Sequence, residues 1–258
     1  MPITVSSLRR YPVKSMGGEA LQSIELDARG FKGDRVFAVR DSDNRLASGK
    51  NTRRMVRRDS VFAFAASTTA DGVRVTGPGV DLMVGDGALD AHLSTAMGAQ
   101  VAVAPETDVP HFDEGSVSLI GTATLQWCAH EFGVDADPRR LRANIVVQTG
   151  QPFEEESWEG DISIGSAVLR PAGRIERCRT IDLPQDEVAE RTRWLKPLGQ
   201  KRDMRVAIYL DVSTPGVISV GDAARHRSRS TASPLPTSAS SLGFATDLVS
   251  VVRGGLVV

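Results

Sequence analysis

Ile3-Thr4-Val5-Ser6-Ser7-Leu8-Arg9-Arg10-Tyr11 leads into Tyr11-Pro12-Val13-Lys14-Ser15, and this junction decides how the rest of the chain is read. The first nine residues alternate and carry β-branched side chains, as a half-buried strand does. Pro12 then stops regular pairing, because proline has no amide hydrogen to give to a ladder. Lys14 and Ser15 follow at the strand-to-loop exit, a cation beside a hydroxyl, a pair able to hold a phosphate.

Working outward, short runs of similar character recur at 21–26, 36–40, 61–67 and 73–76, divided by Gly, Asp and Asn turn signals. Short strands at this spacing point to a barrel or sandwich. The period changes over 86–97, where Leu89, Leu93 and Met97 fall four apart on one helical face. A further strand is expected at 101–104. Residues 122–132 read as a helix with Thr122 as N-cap and Gly133 as its stop. Strands return at 145–149, 162–164, 167–171, 206–212 and 217–220, and 194–198 fits no single class. From residue 225 to 241 the chain turns to Ser, Thr, Ala, Pro and Arg without periodicity, which reads as a tail. The expectation is a mostly β (α+β) protein: two β-barrel-like lobes, at 1–104 and 105–223, a few short helices, and a low-complexity tail over 224–258.

The 258 residues, 41% of them hydrophobic, suffice for a substantial core without staples. Two cysteines, Cys128 and Cys178, and no secretory leader pattern suit a reduced, cytoplasmic setting. No run approaches the length of a membrane helix, and 31 basic residues nearly balance 32 acidic ones, so neither membrane insertion nor nucleic-acid binding is indicated. The local cluster Lys50, Arg53, Arg54, Arg57 and Arg58 reads as solvated surface, with an anion-binding role as the alternative. Phosphate-loop, dinucleotide-binding, paired-Cys zinc and zinc-protease signatures are missing, and His92, His111, His130 and His226 lack ligand spacing. Glu154-Glu155-Glu156 reads as a solvated turn or the first turn of a helix.

Four further segments place polar groups at strand ends, where rigid scaffolds tend to carry their sites. Gly30-Phe31-Lys32-Gly33-Asp34-Arg35 brings a guanidinium into the next strand. Asp113-Glu114-Gly115-Ser116 precedes Val117 to Ile120, and Arg142-Ala143-Asn144 precedes Ile145-Val146-Val147. In Arg174-Ile175-Glu176-Arg177-Cys178-Arg179-Thr180 a cysteine stands between two arginines, a setting that favours the thiolate, the form that attacks electrophiles or ligates a soft metal. A small buried hydrophobe is the alternative reading of the same residue.

In order and spacing these segments, with Phe153-Glu154-Glu155-Glu156-Ser157-Trp158 and Gly216-Val217-Ile218-Ser219-Val220-Gly221-Asp222, resemble the MOSC domain family, named for the C-terminal domain of molybdenum cofactor sulfurases. Tyr11 to Ser15 and Gly33-Asp34-Arg35 resemble the N-terminal β-barrel domain that accompanies it. The resemblance implies a molybdopterin-type cofactor, as in the mitochondrial amidoxime-reducing component and bacterial relatives, with Cys178 as catalytic residue and molybdenum ligand. Lys14, Ser15, Arg35, Arg142, Asn144 and Arg177 would hold the pterin and its phosphate. Asp113, Glu114 and Gly115 match a further contact stretch by position only. It also implies an oxidoreductase acting on small N-hydroxylated substrates, with electrons from a separate donor protein. The alternative is a sulfur-carrying or cofactor-handling module without redox turnover. Glu176 and Asp182 depart from the family pattern, and an acid at 182 would oppose an anionic cofactor unless it faces away.

Overall fold

Val117-Ser118-Leu119-Ile120-Gly121 is buried at every position, the mark of a strand covered on both faces. In the computed structural model, which describes residues 2–188 and 190–228, this strand lies inside an eight-stranded sheet. Its parallel partner is Ile145–Gln148, reached by a crossover through the helix Thr122–Phe132. From one edge the order is Ala224–Ser228, Trp158–Ile164, Ala167–Glu176, Arg205–Thr214, Val117–Gly121, Ile145–Gln148, Thr4–Arg10, Glu19–Leu21. One face, with Leu8, Leu119, Ile145, Leu169 and Leu210, closes over Ile24, Leu26, Phe31 and Ile218 of a three-stranded sheet. Ile120 and Val206 on the other face pack with Leu125 of the crossover helix and with Trp194 and Leu198.

The long antiparallel pair Ala167–Glu176 and Arg205–Thr214 breaks register at Val168/Leu169, Pro171/Gly173 and Arg174/Glu176. Ala207 lies opposite this irregular end at φ +71, a left-handed conformation rare for a residue with a β-carbon. Bulges bend a strand and deepen its twist. The sheet curls into a half-barrel, and Cys178 follows the bent end.

The remaining N-terminal strands form a four-stranded sheet of Val101–Pro105, Phe37–Asp41, Leu46–Ser48 and Met55–Arg57 and a three-stranded sheet of Ala65–Thr69, Gly72–Gly77 and Val80–Met83. The helix Gly87–Met97 buries Leu89 and Leu93 in their shared core. Asp86 caps it by accepting from Ala88 N at 2.8 Å, and Gly98 at φ +61 ends it. The two halves of the sequence interlock. Thr4–Arg10 pairs with Ile145–Gln148, and Ser23–Asp27 pairs with Gly216–Ser219. After Pro12 the chain leaves the large sheet and bridges to the smaller one, with Lys14 N donating to Phe37 O at 2.8 Å. Lys14 and Ser15 therefore stand at the junction of the halves.

Several expectations from sequence need correction. Val61 to Phe64 have strand composition, but Asp59–Ala63 is a 3-10 turn closed by Val61 N to Arg58 O, and the strand begins at Ala65. Thr122 is not the N-cap of its helix. Gly121 is, and the Thr122 hydroxyl accepts from Thr149 N instead. The 194–198 segment opens a helix, Leu195–Arg202. The strand Ala224–Ser228 on Trp158–Ile164 lies where the tail was expected to begin, anchored by His226 stacked on Trp158 at 4.5 Å between ring centroids. The remainder of that expected tail lies outside the described residues. Glu155 is fully buried rather than solvated, accepting from the Thr124 hydroxyl at 3.0 Å. Both cysteines are free.

Candidate functional site

All ten residues singled out from sequence, Lys14, Ser15, Arg35, Asp113, Glu114, Gly115, Arg142, Asn144, Arg177 and Cys178, line one cleft between the halves. Its space, including the open mouth, is about 920 Å³. They come from five separate strand ends, brought together by the interlock.

Ser15, Arg35 and Arg142 have φ of +68, +51 and +52, conformations that cost a non-glycine residue roughly 1 kcal/mol or more and persist where surroundings enforce them. The enforcing contacts are visible. The Ser15 hydroxyl donates to Ala47 O at 3.0 Å. Arg35 pairs with the wholly buried Asp34, whose other oxygen accepts from Tyr11 N at 2.7 Å. Arg142 donates through Nη1 to Met16 O at 2.8 Å and lies over the Tyr11 ring at 4.2 Å from its centroid, with Arg35 also near that ring at 5.4 Å. Tyr11 is a shared aromatic platform for two guanidinium groups.

Lys14 is buried, and burial pushes its pKa down to about 8. Its Nζ donates to His111 O at 2.6 Å and to Asp113 Oδ1 at 2.8 Å. Burial works against the Asp113 carboxylate, yet Lys14 and Lys50 hold its pKa well below the usual range. His111 organises this end. Arg40 donates to its Nε2 at 3.0 Å, so Nδ1 carries the proton and donates to Arg35 O at 2.9 Å. One buried imidazole thus fixes the peptide of Arg35 while its own carbonyl receives Lys14.

Asn144 is spent on the protein: Oδ1 accepts from Ser118 N at 3.1 Å and Oγ at 3.0 Å, and Nδ2 donates to Arg9 O at 3.2 Å. It braces the cleft wall. Gly115 is there for space, since a β-carbon would clash with the Tyr209 ring.

Cys178 is half-buried in extended backbone, and Sγ donates to Thr180 Oγ1 at 3.3 Å. Its flanking arginines divide. Arg179 turns away to Asp59 at 2.7 and 2.9 Å and to Gly49 O at 3.0 Å. Arg177 donates to Val206 O at 3.1 Å and Leu141 O at 2.8 Å, and burial pushes its pKa down to about 10. Nη2 of Arg177 and Nη2 of Arg142 are both buried without a hydrogen-bond partner. Such donors cost about 1–3 kcal/mol each when left unmade.

The two departures resolve differently. Asp182 faces away: its Oδ1 accepts from Trp194 N at 2.8 Å and Leu195 N at 3.0 Å, capping the helix Leu195–Arg202. Glu176 stays at the cleft, exposed and 3.7 Å from Arg205. Sequence reading missed Lys50, Ser118, Arg140, Thr180 and Tyr209, which also line the space. Lys50 was hidden in a basic run that resembles surface, and Tyr209 in an ordinary strand pattern. Among the described residues no group of three or more His, Cys, Asp and Glu is placed to hold a metal ion. No described helix is long and apolar enough to cross a membrane.

The family model of the MOSC N-terminal beta barrel domain matches residues 2–129, and that of the MOSC domain matches residues 99–225. Human molybdenum cofactor sulfurase is 35% identical over 89 residues, covering 32% of this chain and 10% of that protein. The bovine protein of the same name gives 35% over 89 residues, with the same coverage. The chain therefore spans about a tenth of the length of the curated relatives it matches. Among solved structures, the YuaD protein from Bacillus subtilis is similar at TM-score 0.46 and 16% identity, covering 87% of this chain and 94% of that one. YiiM from Geobacillus stearothermophilus gives 0.34 and 17%, covering 46% and 57%. With family matches that overlap over 99–129 and together run from residue 2 to residue 225, the chain belongs to the MOSC family, its MOSC domain preceded by the MOSC N-terminal β-barrel domain.

Proposed function

We propose that the cleft binds a molybdenum–pterin cofactor with Cys178 on the metal, and that the protein reduces N-hydroxylated small molecules using electrons from a separate donor protein. The observation that carries this reading is one cleft lined by Arg142, Arg177 and the free thiol of Cys178, with Nη2 of each arginine buried and without a hydrogen-bond partner. Two unpaired cationic donors fit the oxygens of a phosphate, and a soft thiolate fits molybdenum. The curated relatives are named molybdenum cofactor sulfurases, which supports the link to that cofactor.

In this reading Arg142, Arg177 and Lys14 hold the acidic end of the pterin, while Tyr11 and Asp34 keep Arg142 and Arg35 aimed. Ser118 and Asn144 brace the wall behind them. The bound group would supply the redox chemistry, and the protein its orientation and electrostatics. Thr180 holds the Cys178 thiol through its hydroxyl, and Arg179 ties the Cys178 loop to Asp59 on the N-terminal half. The test is steady reduction of an N-hydroxylated small molecule by cofactor-loaded protein with a reconstituted electron-donor protein. Sustained turnover that Cys178→Ala abolishes supports the reading, and its absence in loaded wild type refutes it.

A second reading makes Cys178 a sulfur carrier, favoured by its free, half-exposed thiol and by the sulfurase names of the relatives. Stoichiometric sulfide released from purified protein by a thiol reductant, without N-hydroxy reduction, would select it.

A further inference from the structure

Lys50 belongs to a basic run that reads as solvated surface, yet it turns into the cleft. Its Nζ lies 3.4 Å from Asp113 Oδ2, while Lys14 Nζ lies 2.8 Å from Asp113 Oδ1. One carboxylate thus bridges two ammonium groups, one buried and one partly exposed, inside a space whose Arg142 and Arg177 still carry unpaired donors. We propose that Lys50 is a ligand-binding residue and that Asp113 is a resident counter-ion, displaced when a phosphate monoester enters and bridges Lys14 and Lys50 in its place. This rests on the cofactor reading above, since the phosphate is that of the pterin.

The loop that carries Asp113 is built for such an exchange. Arg54, the next cation of the same basic run to turn inward, donates to Pro110 O at 2.7 Å, Phe112 O at 3.2 Å and Asp113 O at 3.2 Å. Three carbonyls held by one guanidinium fix the backbone, while the Asp113 side chain keeps 41% of its surface exposed. A change of side-chain rotamer would carry the carboxylate toward solvent without moving the loop. Gly115 closes the loop tightly against Tyr209, which keeps the displacement local.

The electrostatics favour the replacement. Without Asp113, Lys14 and Lys50 would face Arg35, Arg142 and Arg177 with only buried Asp34 and the cleft-lining Glu114 and Glu176 to offset them, and like charges in a poorly solvated space repel. Asp113 relieves this in the free protein. A phosphate dianion carries more charge than a carboxylate and has a third oxygen to offer to the orphaned guanidinium nitrogens. Asp113 therefore competes with the ligand, and Lys50 contributes to its affinity.

The test uses the full chain produced without cofactor and measures inorganic phosphate binding by calorimetry for wild type, Lys50→Gln and Asp113→Asn. Losing one charge-assisted bond should weaken binding roughly tenfold in Lys50→Gln. Removing the competing charge should tighten binding in Asp113→Asn by several-fold, with proton release or uptake altered to match. Unchanged affinity in Lys50→Gln, weaker affinity in Asp113→Asn, or no phosphate binding by wild type would each overturn the proposal. Lys50 is partly exposed, so its variant keeps the test decisive if Asp113→Asn does not fold. Pterin content of the same proteins made in a cofactor-competent host separates the two claims. Full loading of wild type and Lys50→Gln leaves the cofactor reading standing while this one fails, whereas no pterin in wild type removes both.

Discussion

His111 offers the sharpest quantitative consequence of the site geometry. Its imidazole is buried between Arg40, which donates to Nε2, and the carbonyl of Arg35, which accepts from Nδ1. Burial first of all pushes its pKa down from 6.5 to about 4. The sign follows directly: between these values the unfolded chain binds the proton and the folded protein does not, so stability rises with pH across the window. The contribution is complete above the unfolded pKa near 6.5 and is lost as pH falls toward 4. Linkage makes the whole effect about 3 kcal/mol, of which about 2 kcal/mol falls between pH 7 and pH 5. The perturbation is His111→Asn, which keeps a donor toward Arg35 and does not titrate. Urea unfolding of both proteins at a series of pH values gives the comparison. Wild type should lose about 2 kcal/mol more than the variant between pH 7 and pH 5. Equal losses in the two proteins would refute the buried, neutral imidazole on which this pH dependence rests.

Two further outcomes concern residues away from the ligand. Asp182→Ala should cost about 1 kcal/mol in urea unfolding, the value of a helix cap, while phosphate affinity stays at the wild-type value because the carboxylate faces Trp194 and Leu195. Reduced phosphate affinity would place Asp182 at the cleft after all. Glu155 is fully buried with Oε1 unpartnered, and burial raises its pKa, so its ionisation disfavours the fold as pH rises above the ordinary glutamate value. Glu155→Gln should therefore gain stability relative to wild type at pH 8 and lose that advantage at pH 4, read from paired thermal unfolding curves. An advantage that grows on acidification would reverse the argument.

Much of the site was legible because its residues sit where strands end. Lys14 and Ser15 follow the proline that stops a strand, Arg142 and Asn144 precede an apolar one, and Cys178 follows a third. Such polar groups stand out against alternating neighbours. Less legible were groups whose roles depend on a second segment. Nothing near Lys50 announces that its partner is Asp113, more than sixty positions away. Tyr11 reads as the last residue of a strand, and only folding brings Arg142 onto its ring. Asp182 looked adverse because an acid beside a cysteine was judged by sequence distance, whereas the 3-10 turn Arg179–Asp182 rotates it onto a helix start. The strand expected over 61–67 begins only at Ala65 for a related reason: residues 61–64 have strand composition, but Asp59 just ahead of them pairs with Arg179 and Arg57, and the chain turns there. The strand Ala224–Ser228 was hidden because its partner, Trp158–Ile164, lies far back in the chain.

The central claim is that the cleft holds a molybdenum–pterin group with Cys178 on the metal. Molybdenum and pterin content of wild type beside Cys178→Ser, both purified from a host that makes the cofactor, tests it most directly. Molybdenum and pterin together in wild type, with molybdenum lost and pterin retained by the arginine set in the variant, is the expected result. Wild type carrying neither, or a serine variant that keeps its full molybdenum, would contradict it.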